Sequence, residues 1–170
     1  EPQSRYELAS VATTATADGD DYVLSGSKGV TLNGGNADFL LVSARTAGAT
    51  TDPEGISLFV VPADAAGLSR RAYPTVDGHQ AAEIDLRDVR VPAANRLGPD
   101  GQALETIVAV TNEATLAVCA EAVGIMQIMT HKTVDYSKSR VQFGVPIGSF
   151  QAFLLEGVTG SGKTEVYLRL

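Results

Sequence analysis

The chain changes character at the turn Gly98-Pro99-Asp100-Gly101, and this change limits the folds open to it. Between residues 13 and 92, short runs of β-branched and aromatic residues are separated by turn clusters, a pattern that is typical of a β domain. After the turn, Ala, Leu, Ile, Met, Glu and Gln dominate and no proline occurs until Pro146, which favours helix. The sequence therefore predicts an α+β fold with the strands first and the helices second.

The β half contains one clear hairpin and several strands. The cluster Asp18-Gly19-Asp20-Asp21 lies between two β-rich runs, where Gly19 can adopt the positive φ of a hairpin turn. Further strands are predicted at 39–44 and 56–61. A last strand alternates apolar and charged residues, which predicts one face on the core of a barrel or sandwich. Its apolar residues are Ala82, Ile84 and Leu86, and its charged residues are Glu83, Asp85 and Arg87.

In the helical half, an apolar stripe with three-and-four spacing predicts a buried helix face. The stripe consists of Leu116, Cys119, Val123 and Met126, so Cys119 is predicted to be a core residue. Gly144-Val145-Pro146 is predicted to end the helix, because proline lacks the amide donor and restricts the residue before it. No apolar run approaches the roughly 20 residues of a bilayer span, so we expect no membrane association.

Charge and cysteine content exclude several classes of function. With 13 Lys and Arg against 20 Asp and Glu, the net charge is −7, so the chain as a whole does not attract phosphate backbones or anionic membranes. Cys119 is the single cysteine, and neither His79 nor His131 has a zinc-ligand spacing to it, so we expect no disulfide and no metal site. The chain starts at Glu1 without a leader pattern, which predicts a cytoplasmic piece of a longer polypeptide.

Residues 1–152 resemble the acyl-CoA dehydrogenase family over an extended stretch. The matching segments are Glu1-Pro2, Asp18-Gly19-Asp20-Asp21-Tyr22-Val23-Leu24-Ser25-Gly26-Ser27-Lys28, Asn33-Gly34-Gly35-Asn36-Ala37-Asp38, Ile56-Ser57-Leu58-Phe59-Val60-Val61-Pro62, Val89-Arg90-Val91-Pro92 and Arg140-Val141-Gln142-Phe143-Gly144-Val145-Pro146-Ile147-Gly148-Ser149-Phe150-Gln151. The resemblance implies a middle β-barrel domain over residues 1–97. The start of a truncated C-terminal helical bundle would follow over 98–152.

The resemblance also implies a chemistry and a cofactor. Members of the family remove a proton from the α-carbon of an acyl-CoA thioester while a hydride passes from the β-carbon to FAD. Acyl-CoA and an electron-transfer acceptor are the implied partners, within a homo- or hetero-oligomer. By the match, Arg140 would pair with the FAD pyrophosphate, Phe143 would pack on the cofactor, and Gln151 would hydrogen-bond near its adenosine end. The alternative is that Arg140 is a solvated helix-end cation and Phe143 a loop anchor.

Several positions depart from the family pattern. Gln3-Ser4-Arg5-Tyr6-Glu7 replaces a glycine-rich continuation, Val30 stands where a flavin-covering tryptophan is common, and Leu32 stands where a threonine is common. Arg5-Tyr6, taken with Arg70-Arg71-Ala72-Tyr73-Pro74-Thr75, is similar to the small subunit of pimeloyl-CoA-type dehydrogenases. The catalytic base is unassigned, because the usual glutamate lies in the later bundle and Glu113 is a typical solvated helix residue. We therefore expect negligible turnover.

The segment 153–170 has a different pattern. Phe153-Leu154-Leu155 leads into Gly157-Val158-Thr159-Gly160-Ser161-Gly162-Lys163-Thr164, which matches a phosphate-binding loop at every fixed position. It resembles the first motif of the primosomal replication-restart helicase. The resemblance implies that ATP and Mg²⁺ would bind to Gly157, Gly160, Gly162, Lys163 and Thr164, with nucleic acid as a partner.

The glycines of this segment oppose the long bundle helix that the dehydrogenase resemblance implies, each costing about 1 kcal/mol relative to alanine. Local and global signals that conflict in this way indicate a chimera with a junction near 151–153 and a foreign tail. Three functions therefore stay open: a dehydrogenase fragment, an ATP-binding helicase fragment, and a non-catalytic β domain kept for interaction.

Overall fold

In this computed structural model, the structure describes residues 1–149, which form a run of strands followed by one long helix. Gln151 and the phosphate-loop pattern of 153–170 lie outside the described residues. The strands are β1 (Thr14–Asp18), β2 (Asp21–Leu32), β3 (Phe39–Arg45), β4 (Ile56–Pro62), β5 (Leu68–Pro74), β6 (Gln80–Pro92), β7 (Arg96–Leu97), β8 (Val141–Gln142) and β9 (Val145–Pro146). The helix α1 is Ala103–Ser139, and single 3₁₀ turns span Ala93–Asn95 and Ile147–Ser149.

Strands β1 to β7 form one sheet in the order β5-β6-β2-β1-β3-β4-β7. Neighbours pair antiparallel, except that β1 meets β3 in parallel through Thr14 and Arg45. The predicted hairpin is confirmed, because β1 and β2 pair from Asp18 opposite Asp21 and Gly19 has a φ of 64°. The strands predicted at 39–44 and 56–61 are confirmed as β3 and β4.

The sheet curls around its core. The rings of Tyr22 on β2 and Phe59 on β4 have centroids 5.0 Å apart, although β1 and β3 lie between these strands. In a flat sheet, strands three places apart would be separated by about 14 Å. Arg96 of β7 also donates a 2.7 Å hydrogen bond to the Tyr22 hydroxyl. The curl therefore brings strands from both halves of the sheet onto one core, as the barrel expectation requires.

The alternation predicted for the last long strand is confirmed in β6. Ala82, Ile84 and Leu86 are at most 2% exposed and belong to the main apolar cluster. The charged residues between them are half-buried or exposed. Burial of one face of β6 is therefore set by the period-two pattern of the sequence. The α+β fold class, a β domain followed by helix, is confirmed.

The chain divides into two compact units, Glu1–Ala114 and a second that begins at Thr115, so α1 contributes to both. In the first unit, Leu104 and Ile107 of α1 pack against a small buried cluster of Val11, Ile56 and Ala103. The start of the helix is thereby attached to the β domain by apolar contacts.

The burial predicted for the stripe on α1 is wrong. Leu116, Val123 and Met126 are between 58% and 72% exposed, and Cys119 is exposed. Helical spacing shows which face of a helix can be buried, but burial also requires a partner surface. Among residues 1–149, no element covers this stripe.

One finding bears on the expectation of no membrane association, which stays a prediction. Helix α1 is long and apolar enough, by length and composition, to cross a bilayer. Glu113 and Glu121 interrupt its apolar residues, so no uninterrupted apolar run reaches the length of a span. Length and composition do not distinguish a spanning helix from one that packs among protein partners.

Helix α1 ends at Ser139, before the predicted stop at Gly144-Val145-Pro146. The residues that follow form the two-stranded hairpin β8–β9, whose turn residues Phe143 and Gly144 have φ angles of 51° and 82°. Two consecutive positive φ angles are the geometry of a type I′ hairpin turn. The proline therefore lies in a hairpin strand, and the helix has already ended.

Candidate functional site

The first residues of the chain are fixed to the sheet by a buried ion pair. The Glu1 carboxylate pairs with the Lys28 ammonium group, and their side chains are 5% and 14% exposed. The Thr13 amide donates to Glu1 Oε1 at 3.2 Å. Lys28 Nζ also donates to the Ser43 carbonyl at 2.7 Å and to its hydroxyl at 3.2 Å. This network joins the N-terminal segment to β2 and β3.

Burial and pairing act against each other on these two groups. Burial raises the pKa of Glu1, but the hydrogen bond and charge of Lys28, together with Thr13, outweigh it and hold that pKa below its ordinary value. Burial lowers the pKa of Lys28, and the hydrogen bond and charge of Glu1 offset this only in part. Each charge is tolerated in the interior because the other is present.

Next to this pair, β2 carries a bulge with a strained residue. The register between β2 and β6 shifts between Lys28 and Thr31, so Gly29 and Val30 form an irregular step. Val30 has a φ of 51°, a conformation that is costly for a β-branched residue. The Val30 and Leu32 side chains are 63% and 75% exposed. The bulge therefore presents apolar side chains outward on an otherwise paired strand.

Pro2 packs directly on the bulge. A Cβ atom placed on Gly29 would lie 3.7 Å from Pro2 Cγ and 3.3 Å from Glu83 Oε2. The N-terminal segment and the bulge thus form one surface, which we call the bulge platform: Pro2, Gly29, Val30 and Leu32. Tyr6 is 98% exposed, and Arg5 has a φ of 52°.

A buried arginine shapes the other end of the N-terminal segment. Arg45, at the end of β3, is 6% exposed and donates only to backbone carbonyls. The six acceptors are the carbonyl groups of Ala9, Val11, Ala47, Thr50, Asp52 and Glu54. The five donors of a guanidinium suit this role, because they satisfy carbonyl groups that no strand pairs. Sequence reasoning missed Arg45, whose only signal is a charge at the end of the apolar run of β3.

A second polar network fixes the start of α1. The Ser57 hydroxyl is buried; it donates to Asp100 Oδ1 at 2.8 Å and accepts from the Gly101 amide at 2.8 Å. Arg96 lies 3.3 Å from the same carboxylate oxygen. Burial raises the pKa of Asp100, but hydrogen bonds from Ser57 and Thr46 and the charge of Arg96 hold it below its ordinary value.

Arg140 and Phe143, the cofactor-binding candidates from the sequence, lie together at the end of α1. Arg140 Nη1 donates to the Tyr136 hydroxyl at 2.8 Å, and its guanidinium carbon lies 5.7 Å from the centre of that ring. Phe143 is 94% exposed at the tip of the hairpin. The structure thus brings these two residues into one helix–hairpin corner of the second unit.

The remaining candidates are an exposed helix residue and residues that the structure does not describe. Glu113 is an exposed residue on α1. Within residues 1–149, no group of three or more His, Cys, Asp or Glu residues is placed to hold a metal ion. Gln151 and the phosphate-loop residues Gly157, Gly160, Gly162, Lys163 and Thr164 lie outside the described residues.

Comparison with known proteins identifies the family. Residues 1–89 match the model of the acyl-CoA dehydrogenase middle domain. The chain is 37% identical over 155 residues to the probable acyl-CoA dehydrogenase YngJ of Bacillus subtilis, covering 89% of this chain and 41% of that protein. It is 35% identical over 155 residues to the mitochondrial isobutyryl-CoA dehydrogenase of Dictyostelium discoideum, covering 89% of this chain and 37% of the relative.

Solved structures agree with the sequence relatives. Glutaryl-coenzyme A dehydrogenase in its glutaryl-CoA complex superposes with a TM-score of 0.78 at 30% identity, covering 88% of this chain and 38% of that one. Butyryl-CoA dehydrogenase from Megasphaera elsdenii gives a TM-score of 0.74 at 33% identity, covering 84% and 38%. The chain belongs to the acyl-CoA dehydrogenase family. It spans about two fifths of the length of the relatives described here.

Proposed function

We propose that this chain is part of a flavin-dependent acyl-CoA dehydrogenase, with residues 1–97 as its middle β domain and 98–152 as the start of its helical domain. The observation that carries the proposal is the match of residues 1–89 to the middle domain of this family. The reaction is α,β-dehydrogenation of an acyl-CoA thioester, with loss of the α-proton and transfer of the β-hydride. When bound, FAD supplies the hydride acceptor.

The residues of each unit fit a flavin cofactor. In the first unit, the bulge platform offers exposed apolar side chains at Val30 and Leu32, against which a planar aromatic ring can pack. In the second unit, Arg140 donates from one guanidinium nitrogen to the Tyr136 hydroxyl. A guanidinium has five N–H donors, so it has others that could bind a diphosphate. Phe143 is exposed and able to contact a ring system. Arg140 and Phe143 would hold FAD, together with Gln151.

The chain alone is expected to turn over acyl-CoA at a negligible rate. Glu113 is an exposed residue on α1, and we assign no catalytic base in this chain. Proton abstraction by a positioned base contributes roughly 10²–10⁴-fold to such reactions, so its loss removes most of the activity. The role that we propose for the chain's own residues is to bind and orient the cofactor.

The test is a titration of the 170-residue chain with FAD, followed by flavin fluorescence and visible absorbance. Binding that weakens at least tenfold in Arg140→Gln, and that also weakens in Arg140→Lys, which keeps the charge but loses the planar donor set, supports the role of Arg140 in binding the diphosphate. Exposed Arg87→Gln on β6 is the matched control. Equal affinity in Arg140→Gln and the wild-type chain contradicts the assignment, and substrate-dependent flavin reduction by the chain contradicts its predicted inactivity.

We further propose an assignment within the family. The similarity of Arg5-Tyr6 and 70–75 to small subunits of pimeloyl-CoA-type dehydrogenases favours a hetero-oligomeric enzyme with an electron-transfer acceptor. We also propose a cytoplasmic location. Turnover assays with short, branched and dicarboxylic acyl-CoA thioesters, using a full-length enzyme that contains this chain, test the substrate class. A preference for short unbranched substrates would contradict the pimeloyl-type assignment.

A second candidate function rests on the complete phosphate-loop pattern between Gly157 and Thr164. Under this alternative, the tail is a fused or foreign segment that binds ATP and Mg²⁺. The test is calorimetric titration with Mg²⁺-ATP, comparing the wild-type chain with Lys163→Ala. Heat of binding that is absent in Lys163→Ala supports the alternative. An absence of binding by the wild-type chain contradicts it.

A further inference from the structure

The strained step of β2 needs a restraint from outside the strand. Val30 has a positive φ within the register shift between Lys28 and Thr31, and its side chain is 63% exposed. A β-branched residue keeps such a conformation only when neighbouring groups over-determine it. Packing of its own side chain cannot supply that restraint, because most of the side chain faces solvent.

The neighbouring strands supply the restraint through one tyrosine. The Tyr73 hydroxyl on β5 donates a 2.9 Å hydrogen bond to Glu83 Oε1 on β6. Glu83 raises the pKa of Tyr73, and the backbone of Val30 lowers it in part, so the hydroxyl faces the strained residue of β2 as well as Glu83. Tyr73 on β5 thus fixes the glutamate of β6 that lies beside the bulge of β2.

The glutamate has a second contact with the bulge. While Oε1 accepts from Tyr73, Oε2 lies beside Gly29, where an added Cβ would approach it to 3.3 Å. Pro2 packs against the same glycine. Arg71, directly opposite Glu83 in the β5–β6 register, places its guanidinium 5.9 Å from the Tyr73 ring centre. Positive charge therefore lies beside the Tyr73–Glu83 pair.

We propose that Tyr73 and Glu83 are positioning residues that hold the bulge platform in its strained, ligand-facing conformation. The identity of the ligand, a flavin ring, rests on the proposed function. The restraint itself does not depend on that function. The two side chains act through the backbone of Gly29 and Val30 and do not themselves touch the ligand. Their loss frees the bulge while the core of the sheet stays intact.

The restraint is tested first without ligand, by residue-resolved amide hydrogen exchange of the full chain. In Tyr73→Phe, exchange at 29–31 is expected to accelerate at least about tenfold, because a hydrogen bond to a charged group is lost. Amides of β3 and β4 are the internal reference and keep their wild-type rates. Glu83→Gln retains an oxygen acceptor and is expected to keep most of the protection. Unchanged exchange at 29–31, or equal acceleration throughout the sheet, overturns the proposal.

The flavin titration then separates this inference from the proposed function. If the wild-type chain binds FAD, Tyr73→Phe is expected to weaken binding several-fold with an unchanged midpoint of urea unfolding. Equal FAD affinity in the two chains overturns the positioning role. If the wild-type chain binds no FAD while exchange at 29–31 still accelerates in Tyr73→Phe, the restraint stands and the flavin assignment fails.

Discussion

The sheet domain and the second half of α1 carry similar apolar side chains but bury them very differently. Leu24 and Phe59 in the sheet are fully buried, whereas Leu116 and Val123 on the helix are 72% and 60% exposed. The sheet buries its residues against itself because it curls, whereas a single helix has no second surface of its own. The sheet domain therefore has an interior of its own, whereas the second half of α1 leaves its apolar side chains exposed.

Truncation of a core side chain gives the largest expected effect. Phe59→Ala should lower the free energy of unfolding by about 3–5 kcal/mol, because it leaves a large cavity beside Tyr22. The matched helix variant, Leu116→Ala, should change it by less than about 0.5 kcal/mol. Urea unfolding followed by circular dichroism measures both. Similar losses in the two variants would show that the helix face is buried in solution.

Breaking the buried ion pair between Glu1 and Lys28 has the second-largest expected effect on stability. Lys28→Met should cost about 3 kcal/mol, because it leaves the Glu1 carboxylate buried without its partner. The double variant Glu1→Gln, Lys28→Met should lose less than the sum of the single losses, measured by urea unfolding. Arg90, whose pairs with Asp18 and Asp21 are exposed, is the control, and Arg90→Met should change stability much less. Additive losses at Glu1 and Lys28 would contradict the pairing.

The same pair predicts a dependence on pH. The pKa of Glu1 lies below its ordinary value of 4.5 in the fold, because Lys28 and Thr13 outweigh burial. At pH values just below 4.5, the folded chain therefore binds fewer protons than the unfolded chain. The contribution of Glu1 to the free energy of unfolding is fully present above pH 4.5 and is lost as the pH falls through the lowered pKa. The urea midpoint at several pH values measures this. Glu1→Gln should flatten the acid limb, and the exposed Asp20→Asn should not. An unchanged limb in Glu1→Gln would exclude Glu1 as the group that titrates.

The smallest effect concerns the helix alone. Cys119 is exposed, so its thiol should react with a disulfide reagent in the folded chain at close to the rate in urea. Stopped-flow absorbance at low protein concentration measures the two rates. Strong protection that disappears on dilution would show that copies of the chain cover this face. Strong protection of the Cys119 thiol that does not depend on protein concentration would contradict the exposure of this helix face. The contrast between the helix and the sheet would then not hold.

Local pattern was enough for the elements of the sheet. The turn at Gly19 follows from positive φ, and the burial of Ala82, Ile84 and Leu86 follows from a period of two. The predicted burial of the stripe on α1 was wrong for a physical reason. Residue spacing identifies one face of a helix, but only tertiary contacts determine whether another element covers that face. The helix also ended early, because a hairpin turn at Phe143-Gly144 preceded the proline.

The residues of the candidate site also fall into two groups: those that the sequence located and those that only the structure identified. Motif resemblance located Arg140 and Phe143, since these residues lie within one short continuous segment. It missed Arg45, whose role depends on six carbonyl groups that the fold gathers around it. It also missed the use of Tyr73, although that residue stood in a segment already singled out.

By itself, the sequence determined the order of strands and helix, the hairpin at Gly19 and the family, because each of these is written in neighbouring residues or in an extended match. The tertiary structure alone decided the Glu1–Lys28 pair, the carbonyl cluster around Arg45 and the Tyr73–Glu83 contact with the bulge. These interactions join residues that are distant along the chain or on different strands. Their energies depend on burial and distance, which exist only after the sheet has curled.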